Sequence, residues 1–336
     1  MELKVTASAP SNIALIKYMG KTDHQINAAS NPSISYTLPH LTTKVSIEVT
    51  QTVHALWRAE ETSPLSSMDL SESGKNKFLA HWDRCHQRMA PSFQQGVTIT
   101  SGNNFPSDCG LASSASSFAA LTLAAHELFL TTGLLTKPWT RTELAQLSRE
   151  GSGSSCRSFF APWVEWSGES VRPLENTAWT GLLHSAIVVD RKKKKVSSSE
   201  AHRRIVTSSL YPGRIERAKA RSERLQQLLK QKDSWYALFE LVWSEFWDMH
   251  VLFETSSPPF YYMSPQSLLV LRYLQNDWEQ RGDGPLITMD AGPNIHLLYR
   301  ANQFDLQQEH LEKLNKMDLF VLTGATENAN ADVMSE

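Results

Sequence analysis

The chain has 336 residues, of which 41% are hydrophobic and 20% are charged, and its formal net charge is −2. This length corresponds to roughly two domains of about 150 residues each, which excludes the class of small domains stapled by disulfides. The near balance of 33 basic and 35 acidic side chains excludes an extended disordered chain and a broad nucleic-acid-binding surface.

The cysteine content and the hydropathy pattern indicate the cellular compartment of the protein. Cys85, Cys109 and Cys156 are odd in number and form no C-x-x-C pair, so they predict neither a disulfide framework nor a zinc site. The first residues lack the apolar block of a secretory signal, and no apolar run approaches the ~20 residues of a membrane span. We expect a cytoplasmic protein whose partner is a small molecule or another protein.

The first half predicts strands interleaved with helices. Val45, Ile47 and Val49 alternate with polar residues, as in a half-buried strand, and a second strand is expected at 97–99. A mixed sheet follows from this pattern. The polar stretch from Leu56 to Asn76 is predicted to be an irregular excursion.

Two helices are predicted after these strands. Ala112–Leu130 is apolar and rich in small residues, which indicates a buried helix. Thr140 and Glu143 form a capping box that begins a second helix, which is expected to end before Gly151. The chain then enters the sequence G-S-G-S-S-C-R-S.

The second half predicts a separate α+β layer. A nearly continuous apolar strand runs from Leu182 to Asp190, so we place a domain boundary just before it, giving domains 1–180 and 181–336. The segment Arg214–Phe253 is helical by period, with a break at 232–234. Shorter elements follow, with strands at Leu286–Asp290, Ile295–Tyr299 and Leu319–Leu322 and a helix around Leu306–Leu314.

The segment from Asn103 to Ala120 contains a candidate phosphate site. A glycine, Gly110, is followed by small and hydroxyl residues at the start of an apolar helix, where free backbone N–H groups suit a phosphate anion. Ser113 and Ser114 could add hydroxyl donors or reach a magnesium ion. The same composition also suits a helix that merely packs tightly at its start.

A second anion site is indicated near the N-terminus. Lys17 and Lys21 flank Tyr18, and two lysines beside a tyrosine can act as point charges on a diphosphate, although they also suit a solvated surface. The G-K-T sequence at 20–22 is not a Walker A loop, because Leu15 stands where that motif needs its first glycine.

Two further side chains are candidates for chemistry. Arg157 lies with Ser152 and Ser154 in a glycine-containing turn, where a guanidinium can hold a carboxylate through paired hydrogen bonds or can simply lie on the surface of a capped helix. Asp290 ends an apolar strand beside a turn. This position suits a catalytic carboxylate, and it also suits an aspartate that accepts backbone hydrogen bonds.

The charge run and the histidines add little to the prediction of binding sites. The basic run Arg191–Lys195 is predicted to be a solvated hairpin, since five residues are too few to indicate nucleic-acid binding. The histidines His24, His126, His184 and His296 have no metal-ligand spacing. Metal ligands therefore stay unassigned by the sequence.

Taken in order, these motifs resemble those of the mevalonate diphosphate decarboxylases, members of the superfamily that includes galactokinase, homoserine kinase and mevalonate kinase. The resemblance spans most of the chain and lies in these segments: N-I-A-L-I-K-Y-M-G-K-T-D (12–23), N-P-S-I-S (31–35), N-N-F-P through G-L-A-S-S-A (103–115), G-S-G-S-S-C-R-S (151–158), K-K-V-S-S-S (194–199), P-P-F-Y-Y-M (258–263) and M-D-A-G-P-N (289–294).

The resemblance implies a two-domain α+β fold of the small-molecule-kinase (GHMP) type, with the active site in the cleft between the domains, and a homodimer. It implies ATP and Mg²⁺ as the cofactors. The implied reaction phosphorylates the 3-hydroxyl of mevalonate 5-diphosphate, after which phosphate and carbon dioxide leave to give isopentenyl diphosphate and ADP.

The resemblance also implies residue roles. Asp290 would orient or deprotonate the 3-hydroxyl, Arg157 would hold the substrate carboxylate, and Lys17 would complete the catalytic group. Substrate binding is implied for Tyr18, Lys21, Ser152, Ser154, Arg157 and Ser198. Binding of the ATP phosphates is implied for Asn103, Gly110, Leu111, Ala112, Ser113 and Ser114.

Departures and alternatives accompany this interpretation. Ser199 stands where some members have arginine, Ala201 and His202 stand where Gly-Met is usual, and Asp108 places a carboxylate beside the phosphate loop. The alternatives are a decarboxylase of mevalonate 5-phosphate, a mevalonate-type kinase, or a non-catalytic sensor. Asp290 and Arg157 argue against the kinase, because a kinase has no need to hold an acid that it leaves in place. A sensor would be expected to have lost the aspartate or the phosphate loop, and neither is missing.

Overall fold

The computed structural model describes residues 3–60, 70–105, 113–190 and 194–325. The helices and strands have these bounds: β1 Lys4–Ile16, β2 Lys21–Asp23, β3 Ala28–Ala29, β4 Ser33–Thr50, β5 Ala55–Ala59, α1 Glu72–Met89, β6 Gly96–Asn103, α2 Ser113–Thr131, α3 Arg141–Gly151, β7 Trp163–Ser167, β8 Ser170–Pro173, β9 Leu183–Val188, α4 Ser198–Arg204, α5 Arg214–Leu229, α6 Trp235–Glu254, α7 Pro265–Arg281, β10 Leu286–Met289, β11 Ile295–Tyr299, α8 Phe304–Asn315 and β12 Phe320–Ala325. None of the helices in these ranges combines the length and apolar character needed to cross a bilayer.

The first sheet has the strand order β5-β6-β4-β7-β8, and β1 pairs with β4. The β5–β6 pair is parallel and the other pairs are antiparallel, so the predicted mixed sheet is confirmed. The β1–β4 pairing runs from Lys4 opposite Glu48 to Ile16 opposite Ile34. The residue that follows β1 therefore emerges beside the start of β4.

The second sheet has the antiparallel order β10-β11-β9-β12. Its hydrophobic core contains Ile187 and Ile295 together with Phe246 of α6. The same core contains Ile13 and Ile34 of the first sheet, so the end of β1 is buried against elements from the second half. The predicted boundary between residues 180 and 181 stays a prediction.

The α+β class is confirmed, as are α2, the capping box of α3 and the break between α5 and α6. The prediction of irregular chain from Leu56 to Asn76 is wrong where the structure describes it, because β5 and α1 enter this segment. The sequence signal for α1 is Ser71, whose hydroxyl accepts from the backbone N–H of Gly74 as an N-cap.

Candidate active site

A cavity of about 560 Å³ is lined by residues from both predicted domains. Most of the predicted site residues line it, namely Lys17, Tyr18, Lys21, Ser113, Ser114, Ser152, Ser154, Arg157, Ser198 and Asp290. The fold thus brings together side chains that are separated by up to 273 positions in the sequence, as in the pair Lys17 and Asp290.

Some predicted residues are not placed at this cavity. Gly110, Leu111 and Ala112 lie outside the described residues, as does Asp108. Asn103 is buried away from the lining, and its Oδ1 accepts a hydrogen bond from Thr43 Oγ1 at 2.6 Å. This contact favours a structural role for Asn103, and binding of the ATP phosphates by these residues stays a prediction.

The central feature of the cavity is an ion pair between Lys17 and Asp290. Lys17 Nζ donates to Asp290 Oδ1 at 2.7 Å, and the two side chains are 2% and 26% exposed. Burial alone would raise the pKa of Asp290, but the ammonium of Lys17 holds it below its ordinary value. Asp290 is therefore a carboxylate at neutral pH, and in the described part of the chain its second oxygen is left to meet a ligand.

The backbone of Lys17 is held by a buried pair that we call the Lys17 clamp, formed by Arg214 of α5 and Glu245 of α6. Glu245 Oε1 accepts from the Lys17 N–H at 2.9 Å, and Arg214 Nη2 donates to the Lys17 carbonyl oxygen at 3.2 Å. The clamp residues bond to each other at 2.9 Å, and neither side chain is exposed. The clamp thus holds both the N–H and the carbonyl oxygen of Lys17.

His250 of α6 fixes the other partner. Its Nε2 donates to the backbone carbonyl oxygen of Asp290 at 3.1 Å. Burial and the nearby charge of Lys17 lower the pKa of His250 to about 3, so the ring is neutral at physiological pH. Lys17 and Asp290 are thus each held through backbone contacts, which leaves the second carboxylate oxygen of Asp290 available to a ligand.

Arg157 lies in a short 3₁₀-helix, Gly153–Phe159, directly after α3. Its Nη1 donates to Ser33 Oγ at 2.9 Å, and its guanidinium carbon lies 6.0 Å from the centroid of the Trp166 ring. The residue is only 3% exposed, and it lines the cavity. A guanidinium at a cavity wall suits a bound carboxylate.

Lys21 lies at a different part of the wall. Its Nζ donates to Asn27 Oδ1 at 2.6 Å. Burial, together with the charges of Lys77 and Arg203, lowers the pKa of Lys21 to about 8. Cations that repel one another in this way attract a ligand that carries several negative charges.

Tyr18 also lines the cavity. Its ring centroid lies 4.7 Å from that of Trp166 and 4.5 Å from that of His202, and its hydroxyl donates to the Asn27 carbonyl oxygen at 3.2 Å. The glycine at 153 is required by this packing, because a Cβ there would lie 2.5 Å from the Tyr18 ring. This contact explains the G-S-G sequence without a dinucleotide motif.

Hydroxyl groups line the wall near α2. Ser152 Oγ donates to Ser114 Oγ at 3.5 Å, and Ser117 Oγ donates to the Ser113 carbonyl oxygen at 2.6 Å. These groups can donate to phosphate oxygens. Within the described ranges, no group of three or more His, Cys, Asp or Glu side chains is arranged to hold a metal ion.

Several cavity residues were missed by the sequence analysis. Lys194 belongs to the run predicted to be solvated, but its Nζ donates to the Ala291 carbonyl oxygen at 2.9 Å and to Ser198 Oγ at 3.1 Å, so that prediction is wrong for Lys194. Residues 191–193 lie outside the described part. Lys194 directly precedes V-S-S-S, and this adjacency was the available signal.

Comparisons with known proteins agree with the geometry. Residues 9–175 match the family model described as a diphosphomevalonate decarboxylase-like N-terminal domain, and residues 186–331 match the mevalonate 5-diphosphate decarboxylase C-terminal domain. The diphosphomevalonate decarboxylase of Debaryomyces hansenii is 31% identical over 315 residues, which cover 88% of this chain and 79% of that protein.

Two solved structures show the same fold. A mevalonate diphosphate decarboxylase from Legionella pneumophila is 41% identical, with a TM-score of 0.87 over 95% of this chain and all of that chain. A complex described as MDDEF with MVAPP, AMPPCP and magnesium is 28% identical, with a TM-score of 0.82 over 97% of this chain and 98% of that chain. The GHMP-type fold implied by the resemblance is confirmed, and the chain belongs to the diphosphomevalonate decarboxylase family.

Proposed function

We propose that this protein catalyses the ATP-dependent decarboxylation of mevalonate 5-diphosphate to isopentenyl diphosphate, with ADP, phosphate and carbon dioxide as the other products. The observation that carries the proposal is the shared cavity of Asp290, Lys17 and Arg157, which lies within reach of a separate cationic wall. The membership of the decarboxylase family supports the same conclusion.

Asp290 acts first in this mechanism. Its free oxygen accepts the proton of the 3-hydroxyl, or orients that hydroxyl, as the alcohol oxygen attacks the terminal phosphorus of ATP and ADP leaves. Lys17 occupies the other carboxylate oxygen and keeps Asp290 ionised. The Lys17 clamp and His250 contribute positioning, which matters because phosphoryl transfer depends mainly on alignment and charge neutralisation.

Arg157 acts in the second half of the reaction. The new phosphate leaves from the tertiary carbon with the electrons of the C–O bond, and the bond to the carboxylate then breaks so that its electrons form the double bond and carbon dioxide departs. A buried guanidinium that binds this carboxylate orients the breaking bond in a site of low dielectric.

ATP and Mg²⁺ are the cofactors of the proposed reaction. The hydroxyl groups of Ser113, Ser114 and Ser152 on the cavity wall can donate hydrogen bonds to the phosphate oxygens of a nucleoside triphosphate. Mg²⁺ bound to that triphosphate would neutralise part of its charge during transfer.

The cationic wall favours the diphosphate over the monophosphate as substrate. Lys21, Lys77, Lys194 and Arg203 all line the cavity, and among the described lining residues the one carboxylate is that of Asp290. A diphosphate carries more charge than a monophosphate and therefore gains more from this wall. Arg157 in the same cavity argues for decarboxylation rather than phosphorylation alone.

We further propose a cytoplasmic location and a homodimer. Cys85 and Cys156 are buried free thiols, which is typical of proteins from a reducing compartment. The homodimer rests on the family resemblance.

A product assay tests the proposed function. The purified protein is incubated with ATP, Mg²⁺ and either mevalonate 5-diphosphate or mevalonate 5-phosphate, and ADP and carbon dioxide are recorded together. We expect equal amounts of both products and a higher kcat/KM for the diphosphate. ADP without carbon dioxide would indicate a kinase, neither product would indicate a sensor, and a preference for the monophosphate would support the alternative substrate.

Lys21 predicts a pH dependence of substrate capture. Its pKa of about 8 means that the free protein loses this cation as the pH rises through that value. We expect kcat/KM for mevalonate 5-diphosphate to fall above pH 8, while kcat changes less because a bound diphosphate raises the pKa of the lysine.

The matched control is Lys21→Arg, because arginine stays protonated throughout this range. In that variant the fall in kcat/KM should disappear. An unchanged inflection in Lys21→Arg would show that another group titrates.

A further inference from the structure

His202 of α4 lies in the cavity wall, but nothing in the mechanism above uses it. The residue is only 6% exposed, and its Nδ1 accepts a hydrogen bond from the backbone N–H of Gly20 at 3.0 Å. A backbone amide can only donate, so Nδ1 carries no proton in this contact. The orientation of the ring is fixed by this bond and by packing against Tyr18.

The tautomer follows from the charge state of the ring. Burial lowers the pKa of His202 well below its usual value, and the charges of Lys21, His24 and Lys77 act in the same direction. The imidazole is therefore neutral at physiological pH and has one ring proton. Since Nδ1 is an acceptor, that proton lies on Nε2.

The Nε2–H group is free and accessible. Among the described residues Nε2 has no hydrogen-bond partner. It is also not one of the fully buried polar atoms, so part of its surface is accessible. The small exposed fraction of His202 therefore includes this nitrogen, and His202 lines the cavity together with Tyr18 and Lys21.

A neutral donor has a specific advantage at this wall. Lys21, Lys77 and Arg203 already repel one another, as the lowered pKa of Lys21 shows. A further cation would add repulsion in the free protein, whereas a neutral imidazole adds a hydrogen bond to an anionic oxygen without that cost. The ligand that fits is a group with several oxygen acceptors and a high negative charge.

We propose that His202 is a further substrate-binding residue whose Nε2–H donates a hydrogen bond to an oxygen of the substrate diphosphate. This inference rests on the proposed function and adds a neutral donor to its cationic site. Tyr18 and Gly20 act as positioning residues, because they hold the ring so that Nε2 faces the ligand.

Two substitutions separate this role from simple packing. In His202→Asn the side-chain oxygen reaches the position of Nδ1 and keeps the contact with Gly20, but no donor remains at the position of Nε2. We expect its KM for mevalonate 5-diphosphate to rise about tenfold, the usual effect of losing a hydrogen bond to a charged group, with kcat and the KM for ATP nearly unchanged. His202→Gln places an amide nitrogen near the position of Nε2 and should recover part of the loss.

The matched control is His24→Asn, since His24 is an exposed histidine near His202 and outside the cavity lining. Its kinetic constants should equal those of the original protein. An unchanged KM in His202→Asn would overturn the proposal. A lower kcat and melting temperature together with higher KM values for both substrates would also overturn it, because the loss of a merely structural residue has these effects.

A spectroscopic test does not depend on turnover. Multiple-bond ¹H–¹⁵N spectra of the histidine-labelled protein should show a His202 ring protonated at Nε2 and bare at Nδ1. Inorganic pyrophosphate should shift the Nε2 signal and leave the His24 signal unchanged. A proton on Nδ1, or no response to pyrophosphate, would overturn the inference, whereas a shift in a protein without decarboxylase activity would instead contradict the proposed function.

Discussion

Asp290→Asn is expected to lower kcat for decarboxylation on the order of a thousandfold or more, with little change in ATP binding. The amide keeps the size of the side chain but cannot accept a proton from the 3-hydroxyl. Burial already lowers the pKa of Lys17, so a Lys17 that has lost its counter-ion can shed its proton instead of remaining as a buried charge. The fold should therefore survive the substitution.

The measurements for this variant are single-turnover formation of ADP and carbon dioxide, the dissociation constant for ATP, and the melting temperature. Asp233→Asn is the matched control, because Asp233 is an exposed carboxylate in the loop between α5 and α6. That control should keep full activity. Turnover of Asp290→Asn close to that of the original protein would remove Asp290 from the mechanism.

Arg157→Leu is expected to lower kcat/KM for mevalonate 5-diphosphate by about 100-fold or more, since it leaves the substrate carboxylate in the cavity without its partner. ATP binding should change little, because the predicted nucleotide residues lie near α2. Carbon dioxide release should fall at least as much as ADP formation. This pattern would distinguish a carboxylate-binding residue from a general loss of stability.

Arg157→Lys is the matched variant. It keeps the positive charge but loses the planar fork that donates to Ser33 and that is proposed to hold both carboxylate oxygens, so we expect an intermediate loss. A defect confined to ATP binding in either variant would contradict the assignment. Melting temperatures of both proteins control for the loss of buried contacts.

The fold was predictable where one element carried its own pattern. β4 alternates, α2 is uniformly small and apolar, and α3 has a complete capping box. β1 was missed because the stretch from Ser11 to Ile16 is buried on both faces and so shows no alternation. The same strand contains Pro10, which further obscures its pattern.

The site was predictable to a similar extent. The motif residues Lys17, Arg157 and Asp290 line one cavity. This could be predicted because the order of the motifs matched that of a known family. Contacts between distant parts of the chain had no such signal. Glu245 lies 228 positions from Lys17, and His202 lies 182 positions from Gly20, so neither partner leaves a local pattern in the sequence.

The Lys17 clamp has a consequence for synthesis on the ribosome. Lys17 is made early, but Arg214 and Glu245 follow it by 197 and 228 positions. Until both helices have emerged, the Lys17 backbone lacks its contacts with Arg214 and Glu245, and Asp290 has not yet been translated. We therefore expect a truncated chain that lacks α6 and Asp290 to have no decarboxylase activity.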